Sequence, residues 1–321
     1  MIIVTGGTGF IGSNIANYFS ENKEEVVICD NIMKNKKKNI YLFDINNLVE
    51  PKNIFKFIND NKNKISSIVH MGAISSTTEK NIDLLLKNNF YLSWELWKWC
   101  SKYKKKFIYS SSASTYGNGD YGFSDEDDYN KICKYLPLNH YAWSKQLFDK
   151  RVLKTIQEGG PEPTKWVGLK FFNVYGPNEY HKKSQSSVAL QMYQLLKERN
   201  IIKLFKSHNK DYQDGFQLRD FVYVKDCVKI ISWLLKNEYK SGIYNIGTGK
   251  ARSFLDLAKS VSDAMGAKPV IEWIDTPLSL RHQYQYFTEA KMEKIKKAGY
   301  LEEATSLEDG VKDYVESYLH I

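Results

Sequence analysis

The segment that most constrains this chain lies at its start. Ile2, Ile3, Val4 and Thr5 form a short apolar, β-rich run that passes directly into GGTGFIG. Gly6, Gly9 and Gly12 are evenly spaced, and SNIANYFSEN follows with Ile11, Ile15, Tyr18 and Phe19 along one helical side. The order is strand, tight turn, helix. Glycines in such a turn let the backbone approach a pyrophosphate, and the helix start offers unpaired N–H groups and a positive dipole end. Gly6, Gly9, Phe10, Ile11 and Gly12 are therefore candidate cofactor contacts.

The next strand candidate, EVVICD, ends at Asp30, 18 residues beyond Gly12 (30 − 12). An acidic residue at about that distance bonds the adenosine ribose, and Asn31 stands beside it. Asp30 alone suggests NAD. Lys34, Lys36, Lys37 and Lys38 follow at once, and a lysine of that loop, Lys37, is the candidate for a 2′-phosphate. The expected cofactor is NADP, with NAD open. Asp44, closing NIYLFD, is a candidate adenine contact. ISSIVHMGAISS reads as a fourth strand and its loop, with Met71, Gly72, Ala73 and Ser75 lining the cofactor. A long helix follows, with Asn88 near its start as a cofactor contact and Leu92, Leu96 and Trp99 in period; its tryptophans read as core. KFIYSSSASTYG is the fifth strand, ending in serines.

This strand–helix alternation implies an α/β fold: a Rossmann doubly wound parallel sheet with its site at the strands' C-terminal ends. After residue 172 the alternation breaks down. SSVALQMYQLLKERN reads as a helix, and ARSFLDLAKSVSDAMG as another, capped by Ser253 with Asp256 and ended by Gly266. The expected organisation is an NAD(P)-binding domain over 1–172 plus 218–247. A smaller, interleaved α/β substrate-binding domain takes 173–217 plus 248–321.

Composition narrows the class. With 42% apolar residues, the 321-residue chain can bury a core. It has no apolar run of about 18 residues, so no membrane helix is expected. The start does not read as a signal peptide. Cys29, Cys100, Cys133 and Cys227 are scattered, without zinc spacing, so reduced thiols, a cytoplasmic location and no metal site are expected. The net charge of +9 comes from lysines spread among asparagines, a pattern of solvated faces. No zinc finger, basic zipper or aromatic RNA-binding signature accompanies it, so nucleic acid is not an expected partner.

A second feature concerns chemistry. In YAWSK, Tyr141 and Lys145 stand four apart on a helical pattern and share one face. An ammonium beside a phenol stabilises the phenolate and lowers its pKa from about 10. The pair gains meaning because a cofactor turn and the serine-rich strand end, with Ser112, occur in the same chain. TGGTGFIG, YSSSASTYG, PLNHYAWSK, FFNVYGP, RDFVYVKD and YNIGTG occur in this order along essentially the whole chain. In this the chain resembles the extended short-chain dehydrogenase/reductase family of nucleotide-sugar epimerases and dehydratases. The resemblance implies that Tyr141 is the acid/base and that Lys145 holds the nicotinamide ribose. Ser112 would bond the same substrate oxygen as Tyr141. It also implies Val174 on the cofactor, Asn173 on the substrate, and Ser75 between the two.

FFNVYGPNEYHKKSQSSVA, YQYFTEA at 284–290 and KAGY at 297–300 are similar to the heptose 6-epimerase branch, which acts on an ADP-sugar. That resemblance implies a second acid/base at Lys182. Inverting a carbon by oxidation and re-reduction returns hydride to the opposite face of a ketone, and each pose needs its own proton acceptor. Substrate contacts implied are Ser184, Gln191, Phe205, His208, Arg219 and Tyr284, with Arg219 on the diphosphate, where its planar fork gives bidentate bonds. Lys183 stands where a glycine is usual, Gln191 where a histidine is common, and the 207–218 segment is long. The implied activity is inversion at C-6 of an ADP-heptose by a homo-oligomer, with a product destined for lipopolysaccharide core or other heptose glycans. A UDP-hexose 4-epimerase, a 4,6-dehydratase and a non-catalytic NAD(P)-sensing protein remain alternatives. Dehydratases carry Asp-Glu after the serine/threonine strand end, where this chain has Ala113 and Ser114. Sensing proteins usually lose the Tyr/Lys pair.

Overall fold

The computed structural model describes residues 1–31, 34–281 and 284–320, without the side chains of Lys34, Ile45, Ser279 and Leu280. Six strands form a parallel sheet in the spatial order Gly242–Ile246, Lys165–Phe171, Lys106–Ser112, Ser67–His70, Ile2–Thr5 and Val26–Cys29. Ile2–Thr5 is buried along its whole length, as a central parallel strand covered on both faces must be. Its side chains alternate between two cores. Ile2 and Val4 pack with Phe19 and Ile231, while Ile3 packs with Trp97 and Phe107 on the other face. Trp97 and Trp99 are core residues, as their spacing suggested.

The third strand of a doubly wound sheet is reduced here to one parallel bridge, Cys29 to Val49. The lysine-rich segment forms a 3-10 turn, Lys34–Ile40, instead. From Ile2–Thr5 the chain runs out to Val26–Cys29 and then returns to the opposite neighbour, Ser67–His70. The switch point therefore lies between the ends of Ile2–Thr5 and Ser67–His70, where a crevice opens beyond the strands.

A chain of hydrogen bonds ties these strand ends together. Gly72 N–H donates to Thr5 Oγ1 (3.2 Å), and Ser93 Oγ donates to the Asn89 carbonyl (2.8 Å). Thr5 O–H is then left to donate to His70 Nδ1 (2.6 Å), and His70 Nε2–H to Ser93 Oγ (2.9 Å). Burial pushes the His70 imidazole down to about 3, so the ring is neutral.

A third core joins the helices Val188–Arg199, Phe254–Ala264 and Leu307–Tyr314 through Leu190, Leu196, Leu257, Val261 and Val311. Ser187 caps the first of these through Leu190 N–H, and Asn200 ends it with φ 55°. A full capping box between Ser253 and Asp256 starts the second. Around them lie the short parallel pairs Asn173–Tyr175 with Phe221–Tyr223 and Ile201–Phe205 with Val270–Ile274. All four cysteines are free. Among the described residues no helix is long and apolar enough to cross a membrane, and no group of three or more His, Cys, Asp or Glu could hold a metal ion.

Candidate active site

At the switch point Gly6 has φ +66°, and a side chain there would run into the backbone of Gly72. One at Gly12 would overlap the Gly6 carbonyl. Only glycine lets the turn close this far, and the cavity of about 210 Å³ above it is floored by Gly6, Gly9 and Gly12. Asp30 stands at its rim. Its Oδ2 accepts from Thr8 N–H (3.1 Å) and Thr8 Oγ1 (2.6 Å), and its Oδ1 accepts from Asn31 N–H (2.7 Å). Lys36 and His181 complete that end, facing Met71, Gly72, Ala73 and Ser75.

The cavity continues into a cleft of about 380 Å³, with Phe10, Ile11, Met71, Ser110 and Lys182 lining both. Helix His140–Gln157, capped by Asn139 through Ala142 N–H, delivers Tyr141 and Lys145 one turn apart into this cleft. The Lys145 ammonium is buried and donates to the Ser110 carbonyl (2.8 Å) and Ser110 Oγ (3.0 Å). Burial lowers its pKa to about 8, against the pull of Asp149 one turn on. Ser112 ends the fourth sheet strand, with its Oγ 2.8 Å from Ser114 Oγ. Burial raises the Tyr141 phenol, and the Ser112 hydroxyl opposes that rise. This corrects the expectation that Lys145 would bring the phenol down. Desolvation outweighs the Ser112 bond, and the Lys145 ammonium is engaged by Ser110. Lys182 enters from the other side, on the 3-10 turn Tyr180–Gln185, its Nζ 5.3 Å from the Phe10 ring centroid. Burial lowers its pKa and Glu179 raises it, with burial ahead.

Ser112 and Asn173 also line a third compartment of about 320 Å³, together with Tyr284. Arg219 lies behind Tyr284, its guanidinium 5.3 Å from that ring and 5.6 Å from Phe254. It is 7% exposed and donates to the Leu218 carbonyl (2.9 Å). Among the described residues it forms no ion pair, so a buried cation awaits an anion. Phe205 packs edge-on against Tyr284 (6.0 Å), and His208 N–H donates to the Tyr286 hydroxyl (2.9 Å).

A family model described as the NAD dependent epimerase/dehydratase family matches residues 2–247. The chain belongs to the NAD dependent epimerase/dehydratase family. It is 45% identical to an ADP-L-glycero-D-manno-heptose-6-epimerase of Fusobacterium nucleatum, over 99% of this chain and 98% of that protein. One of Nitratidesulfovibrio vulgaris, with the same name, is also 45% identical over 99% of this chain and 98% of its own length. The crystal structure of the Helicobacter pylori ADP-L-glycero-D-manno-heptose-6-epimerase aligns with a TM-score of 0.80 at 29% identity, covering 100% of this chain and 96% of that one. A Thermus thermophilus UDP-glucose 4-epimerase in complex with NAD shares the fold, with a TM-score of 0.75 at 22% identity over 98% of this chain and 97% of that one.

A member of this epimerase/dehydratase family takes a nicotinamide cofactor, and the glycine cradle fits one. Of the residues expected on the cofactor, Val174 borders the central cleft with Tyr141 and Lys145. Four others line none of these cavities, and one of them, Asn31, is exposed beside Asp30. Asp44 is exposed and caps a short turn through Asn46 N–H (2.9 Å), and Lys37 is exposed next to the inward-facing Lys36. Asn88 donates to the Leu84 carbonyl (2.8 Å), one turn back on its own helix. Its neighbour Asn89 is the buried one. Asn89 accepts from Ile74 N–H (2.8 Å) and donates to the Ile74 carbonyl (3.0 Å) and Ser144 Oγ (2.9 Å), holding the loop that carries Ala73 and Ser75. The segment Leu86–Tyr91 is π-helical, and the wider turn rotates the register away from the 3.6-residue period. Among the substrate candidates, Ser184 is exposed and Gln191 donates to the Ser186 carbonyl (2.8 Å), outside the three compartments. Asn89 and His181 were not among the expected contacts, and Lys36, not Lys37, is the lysine of that loop that lines the cavity.

Proposed function

We propose that this protein is an ADP-glyceromanno-heptose 6-epimerase. The observation that carries this reading is that Tyr141 and Lys182 reach one cleft from different elements. The relatives at 45% identity support the sugar. A nicotinamide cofactor held over the glycine turn and beside Lys145 would supply the hydride acceptor and donor for C-6, and its oxidised ring would add a positive charge favouring the phenolate of Tyr141. Tyr141, bonded by Ser112, takes the C-6 hydroxyl proton in one pose of the sugar. Lys182, held partly out of water, takes it in the other. When the ketone is reduced in the second pose, the other group of the pair gives the oxygen its proton, and exchange with solvent resets both; in the reverse direction the roles swap. Lys145 orients the cofactor's ribose, and Arg219 with Tyr284 receives the diphosphate and nucleotide of the ADP-sugar.

The cofactor is read as NADP. The Asp30 carboxylate already accepts three hydrogen bonds, and Lys36 beside His181 offers a cation for a 2′-phosphate at the same rim. The reading includes a cytoplasmic homo-oligomer whose product serves lipopolysaccharide assembly, and a division into 1–172 plus 218–247 for cofactor and 173–217 plus 248–321 for sugar nucleotide. Incubation with ADP-heptose and, separately, UDP-glucose tests the substrate. Inversion at C-6 of the first alone is expected. Inversion at C-4 of UDP-glucose, with ADP-heptose unchanged, would overturn it.

A further inference from the structure

The turn that carries Lys182 is closed by one buried carboxylate. Glu179 is fully buried. Its Oε1 accepts from Gly176 N–H (3.3 Å), Ser187 Oγ (2.7 Å) and the Tyr314 hydroxyl (3.2 Å), and its Oε2 accepts from Ser187 N–H (2.5 Å). Gly176 precedes the Lys182 turn and Ser187 follows it, so one side chain holds both ends of the intervening segment. Ser187 also caps helix Val188–Arg199, and Tyr314 belongs to the helix Leu307–Tyr314. The Glu179 carbonyl additionally accepts from Lys182 N–H (2.9 Å). That helix can come this close because Gly310 faces Tyr175, where a side chain would overlap the phenol oxygen.

We infer that Glu179 is the positioning residue for Lys182, fixing its turn against the sugar cleft through Ser187 and Tyr314. This rests on the reading of Lys182 as the second acid/base. Four donors from three parts of the chain meet the carboxylate; burial raises its pKa, and the bonds from Ser187 and Gly176 with the Lys182 charge oppose that rise. Its charge supports the ammonium form of Lys182, whose pKa it raises. Glutamine has the same shape, but its amide nitrogen would face a donor, and the charge would be gone.

The test uses the purified protein with its bound cofactor and ADP-heptose as substrate. In Glu179→Gln, kcat is expected to fall about 10²-fold, the scale of a ~1 Å misplacement, with KM changed by less than about 3-fold. Cofactor occupancy should be retained. Tyr314→Phe, which removes one donor remote from the cleft, should lower kcat in the same sense by about 10-fold or less. In a Lys182→Met background, Glu179→Gln should add nothing, because its effect passes through the missing ammonium. Wild-type kcat in both Glu179→Gln and Tyr314→Phe would overturn the proposal. So would a Glu179→Gln loss that multiplies in full onto Lys182→Met. Full turnover in Lys182→Met would remove the two-base reading itself, and this proposal with it.

Discussion

Asp149 lies one turn beyond Lys145 on helix His140–Gln157 and is fully buried. It accepts from Tyr109 Oη (3.0 Å), Ser111 Oγ (2.6 Å) and Lys170 Nζ (2.7 Å). Lys170 is 1% exposed, and its other partners are Thr115 Oγ1 (2.5 Å) and the Tyr116 ring (5.0 Å). Asp149→Ala removes the one carboxylate that pairs with this ammonium among the described residues. Leaving a buried charge uncompensated costs about 3–5 kcal/mol. The entropy of unfolding is about 2.1 cal/mol/K per residue, or roughly 0.7 kcal/mol/K for 321 residues. The melting temperature should therefore fall by about 4–7 °C in scanning calorimetry at pH 7. The effect should be largely reversed in Asp149→Leu combined with Lys170→Met, since apolar replacement of a whole buried pair is often neutral. A drop below about 1 °C, or a double variant as unstable as Asp149→Ala, would refute the reasoning.

Tyr141→Phe should keep cofactor bound while turnover on ADP-heptose falls about 10²–10⁴-fold, as measured by single-turnover kinetics; unchanged turnover would remove the phenol from the reaction. Lys36→Met should weaken NADP binding about 10-fold and leave NAD nearly unchanged, with equal losses for the two counting against a 2′-phosphate contact. His70 has a folded pKa lowered to about 3, below its unfolded value near 6.5. Above both values it contributes no pH dependence. As pH falls from about 6.5 toward 3, the unfolded chain takes up a proton that the folded ring refuses, so stability is lost by about 1.4 kcal/mol per unit. His181, lowered to about 4, acts in the same direction. Melting at pH 7 and pH 5 should differ by about 2 kcal/mol more in the wild type than in His70→Asn.

What could be read from the sequence was local. The glycine turn, the apolar strands and the capped helix at Ser253 depend on neighbours a few residues away, and each formed where its pattern stands. NIYLFD forms turns, with Asp44 capping the one that follows, and the parallel bridge at this sheet edge is made further on, by Val49 to Cys29. Asn88 stands in a π-helical segment, whose wider turn is not visible in the sequence, and its side chain bonds back to Leu84 while Asn89 is buried. The acidity expected of Tyr141 followed from the distance to Lys145 alone. Pairwise spacing contains neither the desolvation of the phenol, which decides the direction, nor the bonds from Lys145 to Ser110.

The same limit explains why the Lys182 turn was legible only in part. Lys182 could be singled out by type and by its motif, but what holds it comes from far along the chain. Tyr314 reaches Glu179 across 135 positions, and no periodicity links them. Lys183, beside it, has φ 51° and ψ −122°, a conformation that suits glycine and costs a lysine about 1–3 kcal/mol. Such a conformation persists only when its surroundings impose it. The Glu179 clamp at both ends of the segment supplies that constraint, so the departure from glycine at Lys183 is tolerated by the contacts that aim Lys182.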